Sequence, residues 1–134
     1  MSQENVEIVQ AIYAAFGSGD VPGVLSRMSP DIVWNEAENF PYADNRPYRG
    51  PEGVLNGVFA RIGAEWDGFG AHPEEIIDGG DTVIALGRYR GTYKATGRAL
   101  DAQLVHVWRV ADGKATAFQQ YTDTLQAARA AGQA

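Results

Sequence analysis

The chain has 134 residues, enough for one domain with a buried core, and we expect residues 1–134 to form that single domain. It carries 11 Lys and Arg against 17 Asp and Glu, and the resulting net charge of −6 disfavours binding to nucleic acids or anionic membranes. No apolar run approaches the ~20 residues of a membrane span, and no basic stretch precedes an apolar segment at the N-terminus. Because the sequence has no cysteine, it excludes disulfides, thiolate zinc sites and cysteine nucleophiles, and we expect a cytoplasmic protein.

The N-terminal region predicts two helices. Apolar residues recur at helical spacing over residues 4–16, and Gly17 is expected to end this first helix. Asp20 can cap a second, short helix. We expect Met28 to lie on the inner face of that helix and Pro30 to stop it.

A strand, a loop and a third helix should follow. Residues 31–36 alternate in polarity and predict a strand with Trp34 and Glu36 on one face. Residues 37–50 have no period and predict a loop of the length of a lid or binding segment. The next amphipathic stretch predicts a helix running to about Trp66.

The C-terminal half predicts a meander of antiparallel strands, at residues 75–77, 82–93, 98–110 and 116–122. His72, which lies in a glycine-rich stretch, is expected in a loop. Asp123 should cap a last helix, with Gln126 completing a capping box. This order predicts an α+β fold with helices on one face of a sheet, and uncovered sheet surface favours a dimer.

Glu36 is a candidate acid–base group because it shares a strand face with Trp34. If that face is covered, burial beside the indole raises the pKa of the Glu36 carboxyl and suits it to proton transfer. If the strand ends there instead, Glu36 is a solvated surface residue. The sequence leaves both interpretations open.

His106 and Gln120 are the other polar candidates. His106 shares a strand face with Leu104 and Trp108, and the sequence does not decide which face of that strand points inward. A histidine in an apolar strand can be a hydrogen-bonded structural residue or a catalytic one. Gln120 shares a face with Phe118, so it can project to the same side as the apolar residues.

Motifs for dinucleotide, P-loop, zinc-protease and serine-hydrolase sites are missing from the sequence. Two histidines without thiols give no pattern for a transition-metal site. We therefore expect neither metal nor cofactor. Acid–base chemistry on an apolar organic molecule, or binding of such a molecule, remains.

Six short motifs occur in order along nearly the whole chain: Ile12-Tyr13-Ala14-Ala15-Phe16 with Gly19-Asp20, Asp31-Ile32-Val33-Trp34, Tyr48-Arg49-Gly50-Pro51-Glu52-Gly53-Val54, Asp78-Gly79-Gly80-Asp81-Thr82-Val83, His106-Val107-Trp108 with Asp112-Gly113-Lys114, and Tyr121-Thr122-Asp123-Thr124. In this order they resemble a SnoaL-like, ketosteroid isomerase-like protein of the nuclear transport factor 2 superfamily. The resemblance implies a cone-shaped α+β fold. In that fold a curved antiparallel sheet wraps around N-terminal helices and opens to an apolar pocket, often in a homodimer formed through the sheet.

The ketosteroid isomerase branch of this superfamily uses a carboxylate base and an oxyanion hole. Counting from Gly19-Asp20, the resemblance places Glu36 at the position of the base and favours its facing the pocket. The tyrosine of the oxyanion hole falls one residue from Tyr13. Its aspartate falls at Val105, beside His106.

The polyketide cyclase branch resembles this chain at different residues. His106 matches a histidine that assists catalysis there, whereas Gln120 stands where that branch has its acid–base aspartate. The Asp-Arg-Asp set of limonene epoxide hydrolases has no counterpart in this sequence. The resemblance therefore implies a pocket whose chemistry centres on Glu36.

Two functions follow from these residues. In the first, the protein is an isomerase-, cyclase- or lyase-type enzyme, in which Glu36 takes a proton α to a carbonyl and His106 and Gln120 stabilise the oxyanion. Ligand contacts are expected from Trp34, Gln120, Tyr13, Tyr48 and Phe59. In the second, the same pocket only binds or carries a hydrophobic small molecule. A third function, as a protein-interaction dimer, has less support because no exposed apolar element stands out.

Overall fold

In the computed structural model, which describes residues 2–134, helices pack against one six-stranded sheet in an α+β fold. The helices are α1 (Gln3–Gly17), α2 (Val21–Leu25), α3 (Gly50–Val54), α4 (Ala60–Glu65) and α5 (Thr124–Ala130). A π-helical turn, Leu55–Phe59, joins α3 to α4 without a break. The strands are β1 (Met28–Asn35), β2 (Tyr48–Arg49), β3 (Trp66–Gly79), β4 (Thr82–Tyr93), β5 (Ala99–Ala111) and β6 (Lys114–Thr122).

The sheet has the strand order β2-β1-β6-β5-β4-β3 and does not close. Strands β3 to β6 form the predicted antiparallel meander, whereas β1 pairs with β6 in parallel, so the sheet is mixed at this one pair. Register shifts interrupt the β3–β4 pairing, and such bulges bend a sheet. Gly87 allows the two strands to approach closely there, since a Cβ on it would lie 2.1 Å from the His72 carbonyl oxygen. The result is the curved sheet of a cone-shaped fold.

Helix α1 lies against the inner face of this sheet. Its first turn is capped by Ser2, whose hydroxyl accepts the Asn5 amide at 3.1 Å. The predicted apolar stripe is buried and includes Val9 and Ile12, which are 0% and 3% exposed. Burying one such side chain contributes about 1.5–3 kcal/mol, so the stripe holds the helix on the sheet.

The second helix is shorter than its sequence predicts. Asp20 caps it as expected, through a 3.0 Å hydrogen bond from the Gly23 amide, but the helix ends at Leu25. The sequence predicts Met28 in this helix, but Met28 begins β1 and Pro30 lies inside the strand. Pairing with β6 decides this, because the backbone of Met28 joins the sheet opposite Ala115.

Strand β3 is longer than predicted and contains His72, which was expected in a loop. Its composition is poor for a strand, but His72 pairs with Arg88 of β4, and sheet pairing overrides the weak local preference. The predicted loop at 37–50 is mostly confirmed. It contains one 3-10 turn, Ala43–Asn45, and ends in β2.

The last helix keeps one half of its predicted capping box. Asp123 accepts the Gln126 amide at 3.1 Å, as a capping residue does. The Gln126 side chain does not return to the Asp123 amide; its Oε1 accepts the Asp101 amide of β5 at 2.7 Å. This contact ties α5 to the sheet. No helix within residues 2–134 is long and apolar enough to cross a membrane.

Candidate functional site

An interior cavity of about 50 Å³ lies between α1, the helical segment 50–65 and the inner face of the sheet. Its wall is largely aromatic, formed by Tyr13, Phe16, Trp34, Phe40, Phe59, Phe69, Tyr89, Trp108 and Phe118. Three polar side chains interrupt this wall, and all are buried: Glu36, His106 and Gln120. Phe16, Phe59 and Phe69 of this wall are half-buried, whereas most of the other lining residues are buried.

Glu36 directly follows β1, and its side chain points inward with that of Trp34. It is 2% exposed. The Trp34 indole Nε1 donates to Glu36 Oε2 at 3.2 Å, and within residues 2–134 this is the one hydrogen bond that reaches the carboxyl. The second carboxyl oxygen, Oε1, is therefore not engaged by the protein.

Burial decides the ionisation of this carboxyl. Loss of hydration raises the pKa of Glu36 to about 8, against the smaller lowering effects of the Trp34 hydrogen bond and the Arg61 charge. At pH 7 the carboxyl is therefore mainly protonated, and it ionises above neutrality. It can accept a proton in one form and donate one in the other.

His106 of β5 sits between two tyrosine hydroxyls. The Tyr13 Oη lies 2.6 Å from its Nδ1, and the Tyr89 Oη lies 2.6 Å from its Nε2. Burial lowers the pKa of His106 to about 3, so the imidazole is neutral at ordinary pH. Both ring nitrogens are engaged, so His106 reaches a ligand only through the tyrosines. The expected direct hydrogen bond from His106 to an oxyanion is therefore not possible in this arrangement.

Gln120 of β6 links this network to the backbone beside Glu36. Its Oε1 accepts the Ala37 amide at 2.9 Å, and its Nε2 donates to the Tyr89 hydroxyl at 2.8 Å. On the opposite side, the Trp108 indole donates to the Tyr13 hydroxyl at 3.0 Å. Each tyrosine oxygen thus accepts one hydrogen bond from a donor outside the imidazole.

The structure brings six of the seven predicted site residues to the cavity wall: Tyr13, Trp34, Glu36, Phe59, His106 and Gln120. Cross-strand pairing explains the meeting of two of them, since His106 of β5 lies opposite Gln120 of β6. Phe59 reaches the wall from the π-helical turn. Such turns are rare and frequently occur at functional sites.

Tyr48 is the exception, because it lies outside the cavity wall. Its hydroxyl donates to the Tyr42 carbonyl at 2.6 Å and lies 3.0 Å from Asp44 Oδ1, within reach of the same hydrogen. Its ring covers Gly57, where an added Cβ would lie 2.2 Å from the ring. Tyr48 therefore holds the 37–47 loop against the helical segment, and the expectation that it lines the pocket is wrong.

Tyr89 is a site residue that the sequence does not single out. It lies on β4, 5% exposed, and its hydroxyl contacts both His106 and Gln120. The alternation of β4 carries the signal, because Val83, Ala85 and Tyr89 share one face and Ala85 pairs with His106. Once the His106 face is known to point inward, Tyr89 must point inward too.

Asp123 serves as the cap of α5 and has no place in the cavity wall. Among the described residues, no group of three or more His, Cys, Asp or Glu side chains is arranged to hold a metal ion. The cavity wall presents one carboxyl, two phenol groups, one neutral imidazole and one amide.

The chain is similar to known proteins in both sequence and fold. A family model described as a SnoaL-like domain matches residues 9–118. A comparison with curated proteins found no significant match. Among solved structures, an NTF2-like protein from Burkholderia thailandensis is 41% identical, with a TM-score of 0.89, and the alignment covers 97% of this chain and 98% of that chain.

Two further solved structures are similar over nearly their full length. An NTF2-like protein of unknown function from Burkholderia pseudomallei is 30% identical, with a TM-score of 0.87, over 97% of this chain and 98% of that chain. TerC, co-crystallized with polyporic acid, is 30% identical, with a TM-score of 0.87, over 97% of this chain and 99% of that chain.

Proposed function

The chain belongs to the SnoaL-like family, and we propose that it is an enzyme performing acid–base chemistry of the isomerase, cyclase or lyase type on an apolar carbonyl compound. The observation that carries this proposal is the buried Glu36 carboxyl, whose pKa of about 8 lies near neutrality inside an aromatic cavity. General acid–base catalysis is most effective when the pKa of the catalytic group is near the working pH. The family alone does not determine the reaction.

The proposed step is removal of a proton from the carbon next to the carbonyl. The ionised Glu36 carboxyl forms a bond to that proton through Oε1, while the C–H electron pair moves into the new C=C bond of an enolate. The Trp34 indole holds Oε2 by a hydrogen bond, which leaves Oε1 free to accept the proton in the proposed step. Return of the proton to another carbon gives isomerisation, loss of a leaving group gives elimination, and attack of the enolate on an internal carbonyl gives cyclisation.

The aromatic composition of the cavity wall favours an apolar ligand. The cavity volume of about 50 Å³ is smaller than the about 150 Å³ of an engineered protein cavity that binds benzene, so a ring-sized ligand requires the wall to open. We expect the half-buried Phe16 and Phe59, whose ring centroids lie 5.5 Å apart, to move when the ligand enters. The similar protein TerC was crystallized with polyporic acid, which supports a small organic molecule as the ligand.

The proposal includes a homodimer in the cytoplasm and one domain over residues 1–134, and these three points stay predictions. The proposed chemistry uses side chains alone, without metal or cofactor. A non-catalytic carrier that binds a hydrophobic small molecule in the same cavity is the alternative function.

Deuterium exchange at the methyl group of acetophenone in D₂O tests the proton transfer directly, and it does not require the natural substrate to be known. We expect the protein to accelerate exchange, with a rate that rises with pH through about 8 as the Glu36 carboxyl ionises. Glu36→Gln should lower the rate by about 10²–10⁴. The matched control is Glu38→Gln, because the side chain of Glu38 is 80% exposed two residues away.

Equal exchange in the wild type and Glu36→Gln would remove Glu36 from the mechanism. Binding of acetophenone without any acceleration of exchange would instead favour the carrier.

A further inference from the structure

The imidazole of His106 and the two tyrosine hydroxyls hold more hydrogens than their mutual contacts can use. A neutral imidazole has one N–H donor and one bare nitrogen acceptor, and each phenol has one O–H donor. The three groups therefore bring three hydrogens to two contacts, Tyr13–His106 and His106–Tyr89. In either tautomer, one tyrosine accepts from the imidazole and retains its own hydrogen.

The fixed donors around the network cannot use that hydrogen. The Trp108 indole can only donate, and it already donates to the Tyr13 oxygen. The Gln120 Nε2 can only donate, and it donates to the Tyr89 oxygen. The remaining hydrogen has no acceptor in this network, and both tyrosines line the cavity.

Position favours Tyr89 as the group that holds it. The Gln120 amide that binds the Tyr89 hydroxyl also binds the Ala37 amide, directly after Glu36. The Glu36 charge contributes to raising the pKa of Tyr89, after the larger effect of burial. Tyr13, by contrast, lies between His106 and Trp108, with its ring stacked on the imidazole at 5.8 Å.

We infer that the Tyr89 hydroxyl donates its hydrogen to the carbonyl oxygen of the ligand and so selects a ketone over a hydrocarbon of the same shape. The Nε2–H tautomer of His106 then donates to Tyr89, while Tyr13 donates to Nδ1. As Glu36 removes the α proton, negative charge grows on the ligand oxygen and the Tyr89 hydrogen bond strengthens. Burial raises the pKa of Tyr89, so the hydrogen stays on the phenol. This inference rests on the proposed function and names the residue that recognises the carbonyl.

The test compares acetophenone with α-methylstyrene, in which a CH₂ group replaces the carbonyl oxygen. The wild-type dissociation constants for the two probes give a ketone-to-alkene preference, and Tyr89→Phe should lower that preference about tenfold, the size of one hydrogen bond. Tyr93→Phe is the matched control, because Tyr93 lies on the same strand outside the cavity wall and should leave the preference unchanged. An equal preference in the wild type and Tyr89→Phe overturns the inference.

The infrared carbonyl stretch of bound ¹³C-acetophenone is a second measurement, and its value in the wild type alone can already contradict the inference. We expect a stretch below its value in hexane in the wild type and in Glu36→Leu, and the hexane value in Tyr89→Phe. A hexane-like stretch in the wild type, or a lowered one in Tyr89→Phe, overturns the inference even if one variant folds poorly.

The two proposals fail in different ways. If the ketone preference depends on Tyr89 but no deuterium exchange is accelerated, the carbonyl-binding role of Tyr89 is supported and the proposed catalysis is contradicted. If exchange is accelerated but the ketone preference does not depend on Tyr89, the catalysis is supported and the role of Tyr89 is contradicted. A wild-type protein that binds neither probe overturns both.

Discussion

Glu36 is buried beside the Trp34 indole, and the burial that makes its carboxyl useful near neutral pH also costs the folded state free energy when it ionises. Its pKa rises from 4.5 to about 8 on folding. Below pH 4.5 the carboxyl is protonated in both states and carries no cost. Between pH 4.5 and about 8 the carboxyl ionises in the unfolded chain but stays protonated in the folded protein. The free energy of unfolding therefore falls as pH rises over this range, and the loss is complete once pH has passed about 8.

Glu36→Gln should remove this pH dependence. The difference in the free energy of unfolding between the variant and the wild type should grow in favour of the variant between pH 5 and pH 8, by a few kcal/mol at about 1.4 kcal/mol per pH unit. Urea unfolding of the variant and the wild type at pH 5, 6.5 and 8 measures this difference in the free energy of unfolding. The exposed Glu38 provides the control, since Glu38→Gln should follow the wild type. Parallel curves for Glu36→Gln and the wild type would mean that the carboxyl is not buried in solution.

At the scale of elements, the 37–47 loop connects the cavity to the helical segment behind it. The loop supplies Phe40 to the wall, and the Ala37 amide binds Gln120. Arg61 of α4 holds the loop from outside, donating to both carboxyl oxygens of Asp44 at 2.8 Å. The Arg61 guanidinium also lies 4.6 Å from the centroid of the Tyr42 ring.

Arg61→Ala should loosen this loop more than it destabilises the protein. The Arg61 and Asp44 side chains are 32% and 51% exposed, so solvent screening limits the ion pair to about 1 kcal/mol. We expect faster amide hydrogen exchange in residues 37–47, with the free energy of unfolding lowered by about 1 kcal/mol. Arg46→Ala is the control, because Arg46 meets the exposed Glu38 at 3.6 Å. Equal exchange in the two variants would show that Arg61 does not hold the loop.

At the scale of the whole molecule, the outer face of the sheet carries an apolar patch. Leu86, Val105 and Tyr121 form one row across β4, β5 and β6, and Ile84 pairs with Val107 in the next row. Tyr121 is 56% exposed, and the other four are half-buried. Contiguous apolar surface of this kind is typical of a protein interface, and the homodimer expected from the sequence, formed through this face, stays a prediction.

Tyr121→Lys should shift the protein from dimer to monomer in sedimentation velocity, because a two-fold interface would bring the new charges close together. Leu125→Lys is the matched control: Leu125 is 53% exposed but lies on α5. A monomeric wild type, or equal effects of the two variants, would contradict a dimer through the sheet.

Much of this protein follows from local sequence. Helical spacing predicts α1, Asp20 and Asp123 are the caps they were expected to be, and glycine turns separate the long strands. These features depend on neighbours a few residues apart, so the chain alone carries them. Six of the seven predicted site residues also reach the cavity. Strand alternation contributes to this, because it keeps Trp34 with Glu36 on one side of β1 and His106 with Trp108 on one side of β5.

Tertiary structure decided the remainder. A period of two separates the faces of a strand but does not say which face is inside, so the inward position of Tyr89 does not follow from the sequence. Residues 37–50 have no period at all, so nothing local shows that Tyr48 lies outside the cavity wall. Pairing between strands far apart in sequence turned Met28 and His72 into sheet residues against their local preference. Packing also set the pKa of Glu36, because desolvation depends on every element that covers the carboxyl. The sequence alone therefore determined which groups the chain possesses, and only the folded sheet determined which of them share one cavity.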